Sequence, residues 1–278
     1  MRKKILALAS MTAGLVIPIG FVAAGVLVAP PPIPVRIANS EVVFVGKVVA
    51  LEPVDVDAKA FPAAKETTKY TIAVVNVGKV LSGLKDEKMV RVGFIATAKP
   101  GPIGLFNPKL TVGQEGLFMI SKHVEGKFYQ APMNGYFISS QQKGFDDDVK
   151  LANKALAILA DTKSALKSKD SDERLMGAAM VVAKYRTHKP GVTIKEEPID
   201  AAESKLILSA ISDAKWGPVR FGELNAQQVF FQLGVGPKDG WKAPTKTSPD
   251  DMRKAVQAWI QDHPDYRIRR FVPAADKQ

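Results

Sequence analysis

Read as a bare string, the sequence predicts an α+β protein: a small five-stranded β-barrel over residues 37–140, then an all-helical domain of about five helices over residues 146–278. Three observations carry this. Between Asn39 and Ser140, short apolar runs alternate at a period of two and are parted by glycine and proline turns. Beyond Asp146, apolar residues recur three and four apart, and acidic or hydroxyl side chains stand where helices begin. The chain has no cysteine, so packing alone must hold the fold, and thiolate metal sites and cysteine nucleophiles are excluded.

The N-terminus carries a targeting signal. Arg2, Lys3 and Lys4 precede an apolar stretch from Ile5 to Val28, and Val22-Ala23-Ala24 sets small residues for cleavage after Ala24. Residues 1–24 are therefore expected to be a signal peptide. The alternative is an uncleaved anchor, because the run approaches the roughly 20 apolar residues a spanning helix needs. Without a cysteine there is no lipobox, so a bacterial lipoprotein is excluded. In either case the bulk of the chain is expected in an exported compartment: periplasmic, cell-surface or extracellular. Residues 25–36 form a proline-rich segment, and Ala29 to Val35 (APPPIPV) is expected to be an extended spacer.

The strand region opens with Val42 to Leu51 (VVFVGKVVAL), in which Val42, Phe44, Gly46, Val48 and Ala50 share one parity. A glycine in mid-strand marks a bulge or bend. Lys69 to Val80 and Lys88 to Ala96 follow, the latter placing Val90, Val92, Phe94 and Ala96 on one face. Gly116 to Val124 and Lys127 to Ala131 make a hairpin across Glu125-Gly126. Asn134-Gly135 marks a further turn, into Tyr136-Phe137-Ile138. A long connection over residues 97–114 contains three prolines and three glycines, as functional loops and crossovers do.

Helices are expected from starts near residues 147, 170, 200, 224 and 248. Asp170 with Glu173, and Asp200 with Glu203, have the spacing of capping boxes. Ser248-Pro249-Asp250-Asp251 combines a serine cap, a proline at the first helical position and acids in the first turn. Met252, Val256, Trp259 and Ile260 then form one apolar stripe, and Leu175, Ala178, Ala179 and Val182 another.

The strand region resembles the netrin-like branch of the OB fold, which includes the N-terminal domain of tissue inhibitors of metalloproteinases. The likeness lies in the small-polar start and apolar strand of Ala38 to Val48, in Tyr70 to Val74 running through Val77, Lys79 and Val80 to Gly83, and in Val112 to Ile120. It implies an OB-like β-barrel over residues 37–140. Inhibitors of that family chelate a protease zinc through a disulfide-bonded N-terminal cysteine. Here the corresponding neighbourhood is Arg36-Ile37-Ala38, so the resemblance implies a fold and not that activity.

Chemistry is sparse. His123, His188 and His263 are far apart in sequence, and no nucleophile elbow, P-loop or dinucleotide fingerprint occurs. Asp146-Asp147-Asp148 reads as a helix start rather than a calcium loop, and Gly234-Val235-Gly236 as a helix C-cap and turn. His263 is expected at a helix end and His123 at the solvent. No catalytic residue, cofactor or metal ligand is expected. Removing Arg2, Lys3 and Lys4 with the leader lowers the net charge from +11 to +8, which favours anionic surfaces. These features point to an exported, non-enzymatic interaction module that binds a protein or an anionic cell-envelope polymer through the barrel. The expected contacts are Ile37, Ala38, Asn39 and Ser40, the 97–114 loop, and the basic cluster Arg267, Arg269 and Arg270 beside Tyr266 and Phe271. An envelope hydrolase whose groups converge only in the fold, and a membrane-tethered scaffold, are the alternatives. Nucleic acid is not an expected partner, and a membrane is one only through an uncleaved leader.

Overall fold

Val42 to Leu51 is apolar on both parities over its first half, and a strand of that kind must be covered on both faces. That requirement organises the structure, a computed structural model that describes residues 30–95, 109–130, 135–188, 191–218, 220, 222–246 and 248–274, with the backbone of 26–28 and 103–105. The first half of the chain contains β1 (Val26–Val28), α1 (Ile33–Ala38), β2 (Val42–Leu51), β3 (Val56–Lys59), β4 (Thr67–Ser82), β5 (Met89–Phe94), β6 (Ile103–Leu105), β7 (Glu115–Lys122), β8 (Tyr129–Gln130) and β9 (Phe137–Ser139). There follow α2 (Phe145–Ala160), α3 (Thr162–Leu166), α4 (Ser171–Arg186), β10 (Ile194–Pro198), α5 (Ala201–Ser212), α6 (Ala226–Gln232), α7 (Pro249–Asp262) and β11 (Arg269–Pro273).

Strand β2 lies in the middle of a seven-stranded sheet, antiparallel to β4 on one side and to β7 on the other. Its register with β4 shifts between Val43 and Phe44, between Val45 and Gly46, and again between Val48 and Ala50, so the irregularity expected at the glycine is present. A Cβ at Gly46 would lie 2.7 Å from the Asn76 carbonyl oxygen, which is why the close approach needs glycine there. Strand β4 also carries β3 and β5, while β7 carries β9 and β8. Alternate residues serve two cores. Val42, Phe44, Val48, Phe118 and Ile120 enter an inner cluster in which Phe44 stacks on Phe118 at 5.0 Å. Val43, Leu117, Met119 and Ile138 point the other way, into the core of the helical layer.

The fold class expected from the sequence is corrected here. Among the described residues the sheet has seven strands and is not closed into a barrel: β8, a two-residue strand, is all that spans there from β7 to β5, pairing Tyr129 with Val92 and Gln130 with Gly93. Residues 123–128, read as part of a hairpin of two full strands, instead curl into a turn closed by the His123 amide donating to the Phe128 carbonyl at 3.0 Å. Nor do the helices follow the strands as a separate block. Among the described residues there are seven α-helices; α1 precedes the sheet and β10–β11 forms an antiparallel ribbon among the later ones.

The end of the proline-rich segment is helical rather than extended. Pro32 and Pro34 occupy the cap and first turn of α1, where the missing N–H costs nothing and the fixed φ suits the helix. Its apolar residues are buried against α2 and α4. Helix α4 is buried continuously from Leu175 to Ala183, so it is the hub of the layer rather than a helix with a single stripe. Phe230, Trp241 and Trp259 pack edge to face beside it, with centroids 4.8 and 5.6 Å from Phe230. Among the described residues no helix is long and apolar enough to cross a membrane; the expected signal peptide lies outside those residues.

Candidate functional site

The residues picked out in the sequence fall into two separate places. Ile37 and Ala38 are buried in α1 and face the helical core instead of forming an exposed ridge. Asn39 ends that helix, its Nδ2 donating to the Val35 carbonyl at 3.0 Å, and the Ser40 hydroxyl donates to the Arg36 carbonyl at 2.8 Å. Arg36 itself is buried; a guanidinium N–H reaches the Gly135 carbonyl, and burial pushes its pKa down to about 10 against the opposing charge of Asp148. Of the 97–114 loop, 97–102 and 106–108 lie outside the described residues.

The C-terminal basic cluster is engaged within the chain. Arg267 Nε donates to the Ile199 carbonyl at 2.7 Å. Arg269 pairs with Asp239 at 3.1 Å and with Glu196 at 3.6 Å, and Arg270 approaches Glu197 at 3.7 Å. Arg186 joins them, 2.9 Å from Glu196 and 4.0 Å above the Phe271 ring. These contacts fasten β11 to β10 and α4. No hydrogen bond or ion pair among the described residues links this cluster to Ile37–Ser40. His263 caps α7, its Nδ1 2.8 Å from the Trp259 carbonyl and its ring stacked on that indole. No group of three His, Asp or Glu among the described residues could hold a metal ion.

A different place has the shape of a site. Where β5 meets β8, only Val92 and Gly93 are paired, so the first half of β5 parts from its neighbour. The parting opens into a groove of 330 Å³ between β5 and the 123–128 turn. Just before β5, the Lys88 carbonyl accepts from the Val77 amide of β4, which fixes the parity: the backbone groups of Lys88 and Val90 face β4, and those of Met89 face the groove with no strand partner there among the described residues. Met89 is 49% exposed. Arg91 closes one end, clasping Glu52 with two bonds of 2.6 and 2.7 Å and donating to the Lys127 carbonyl at 2.9 Å. Those bonds hold the Glu52 carboxyl below the usual carboxylate range and raise Arg91 in turn. Lys122, Lys127 and Tyr129 complete the rim, and burial with the nearby Glu87 and Glu41 charges pushes the Tyr129 phenol up.

The floor is built around His123. Expected at the solvent, it is only 5% exposed. Its Nδ1 accepts from the amides of Gly126 at 2.8 Å and Glu125 at 3.1 Å, while Nε2 is buried with no hydrogen-bond partner. The ring packs on Phe128 at 4.5 Å and edge-on to Tyr70 at 5.1 Å. Phe128 in turn lies over Gly93 and Gly126, where added Cβ atoms would fall 2.4 and 2.2 Å from it. The sequence held one sign of this: a histidine three residues before the glycine of a tight turn can act as an acceptor for the turn amides, as Asx residues do. The contacts with Tyr70 and Gly93 are non-local and leave no local pattern. No protein-family model matches the chain and no curated protein matches it, so the reading of this groove rests on its own geometry.

Proposed function

We infer that the protein is an exported interaction module that takes an extended, acidic segment of a partner protein along the free edge of β5. The observation that carries the reading is that edge: among the described residues, the first half of β5 has its outward backbone face on an open groove instead of on a neighbouring strand. An exposed strand edge is a template for an added strand, with main-chain hydrogen bonds supplying affinity and flanking side chains supplying selectivity. Met89 offers an adaptable apolar contact, and Lys122 and Lys127 on the rim outnumber Glu87, which favours an acidic segment. Arg91 contributes little net charge because Glu52 already neutralises it.

The test is selection of peptides from a random library on the purified chain, followed by affinity measurement. Acidic, extended sequences are expected to emerge, to weaken with rising salt, and to lose binding in Met89→Pro, which removes the outward N–H, and in Lys122→Glu with Lys127→Glu. Selected peptides that bind these variants as well as the parent would refute the reading. So would anionic polysaccharide that competes fully for the same rim, since it has no backbone to pair with β5.

A further inference from the structure

The geometry points to His123 as a proton-operated latch on the turn that walls the groove. When its imidazole is neutral the turn is closed; when it becomes imidazolium the turn opens. Nδ1 accepts from two backbone amides, Glu125 and Gly126, so it carries no proton and the neutral ring bears its hydrogen on Nε2. An imidazolium has an N–H on both nitrogens. Its Nδ1 would then point a donor at two donors, and both amides would lose their acceptor in a buried site. The ring cannot turn to escape this, because Phe128 packs against it at 4.5 Å and Tyr70 at 5.1 Å.

Among the described residues little near the ring compensates for a positive charge. The ionisable groups facing it are Glu125, in the same turn, and the Tyr70 phenol, on β4; Lys122 and Lys127 flank the turn and add no negative charge. The Glu125 carboxylate is turned toward the Lys59 amide of β3, 3.3 Å away, and β3 and β4 otherwise present Val56, Ala58 and Ile72 to this small core. Burial accordingly shifts the histidine below its ordinary value, with Glu125 opposing only in part. Protonation therefore has to expel the ring. Because Phe128 packs on it and also covers Gly93 and Gly126, the turn moves with it, and the turn supplies Gly126, Lys127 and Phe128 to the groove.

The latch is a property of the free chain; only its consequence, release or admission of a partner in acid, rests on the function proposed above. It is tested on the full, isotope-labelled chain without ligand. Long-range proton–nitrogen spectra are expected to show the Nε2–H tautomer at pH 8 and one inflection below 6.5. Across that inflection the Glu125 and Gly126 amides should lose exchange protection, corrected for intrinsic rates, by about tenfold for each pH unit. His123→Asn places an Oδ1 acceptor before the same amides and cannot titrate, so its turn should keep its protection in acid. His123→Phe fills the space without an acceptor and should be unprotected at every pH; if it fails to fold, the asparagine variant still decides. An Nδ1–H tautomer at pH 8, protection that survives protonation of His123, or an asparagine variant that loses protection in parallel with the parent would each overturn the latch. Peptide binding without a latch, or a latch without peptide binding, separates this inference from the function it would regulate.

Discussion

Gly93 shows how a site can hide in a sequence. Within KMVRVGFIA it reads as one small residue on the less apolar face of an alternating strand. In the fold it is the flat surface on which Phe128 lies, and a Cβ there would sit 2.4 Å from the ring. Gly93→Ala is therefore expected to displace Phe128 and cost about 1–3 kcal/mol, as overpacking of a tight core does. Urea unfolding measures the loss, and an unchanged midpoint would place the ring elsewhere. Arg91 was legible only as a charge on the same face, yet it holds the groove end through Glu52. The folded Glu52 pKa is depressed, so this pair stabilises the protein above the ordinary carboxylate value and its contribution disappears as pH falls through the folded value. Both side chains are partly exposed and screened, which limits the effect to about 0.5–1 kcal/mol. Arg91→Met should remove that acid-side slope while leaving the neutral-pH fold intact, as pH-dependent denaturation would show.

At the scale of elements, periodicity and caps were read well where the chemistry was local. The Ser248 hydroxyl accepts from the Asp251 amide at 3.2 Å and begins α7 as its sequence requires. Asp170 and Asp200 cap α4 and α5, but the boxes are not reciprocal: Glu173 accepts from the Ser168 hydroxyl and Glu203 from the Tyr185 hydroxyl. Each glutamate found a tertiary partner that spacing could not show. Helix starts were therefore legible and their wiring was not. The helix expected from a start near residue 147 breaks at Asp161, which caps α3 through the Ser164 amide. The β10–β11 ribbon left no apolar period to find, since its strands are IKEEP and RRFVP and it is held by charge pairs. Ser248→Ala and Asp200→Ala should each lower stability by about 1 kcal/mol, the usual cost of a lost N-cap. Thermal unfolding of both variants checks this; a shift in one and not the other would mean that the unaffected helix is held by packing alone.

For the molecule as a whole, the boundary near residue 140 separates strands from helices in the sequence but not in the core. Val43, Leu117, Met119 and Ile138 from the sheet share one buried cluster with α1, α2, α4 and the helices beyond them. Helix α1, although it precedes the sheet, packs on α2 and α4. A chain cut between residues 140 and 141 would expose both sides of that cluster. Each large aliphatic side chain left bare forfeits about 1.5–3 kcal/mol, and a domain's whole stability is only about 5–15 kcal/mol. The intact chain is therefore expected to unfold in a single cooperative transition, with fluorescence from Trp241 and Trp259 in the helical layer coinciding with circular dichroism from the whole backbone. Fragments 30–140 and 141–274, made separately, should show poorly dispersed spectra and no cooperative transition, and mixing them should restore both. Ile37→Ala, which hollows the junction between α1 and the helices, should lower stability by about 2–5 kcal/mol without splitting the transition. Either fragment melting cooperatively alone, or two separate transitions in the intact chain, would show that the shared cluster is a contact between two self-sufficient cores. The groove would then belong to the sheet unit by itself, and its binding could be studied without the helices.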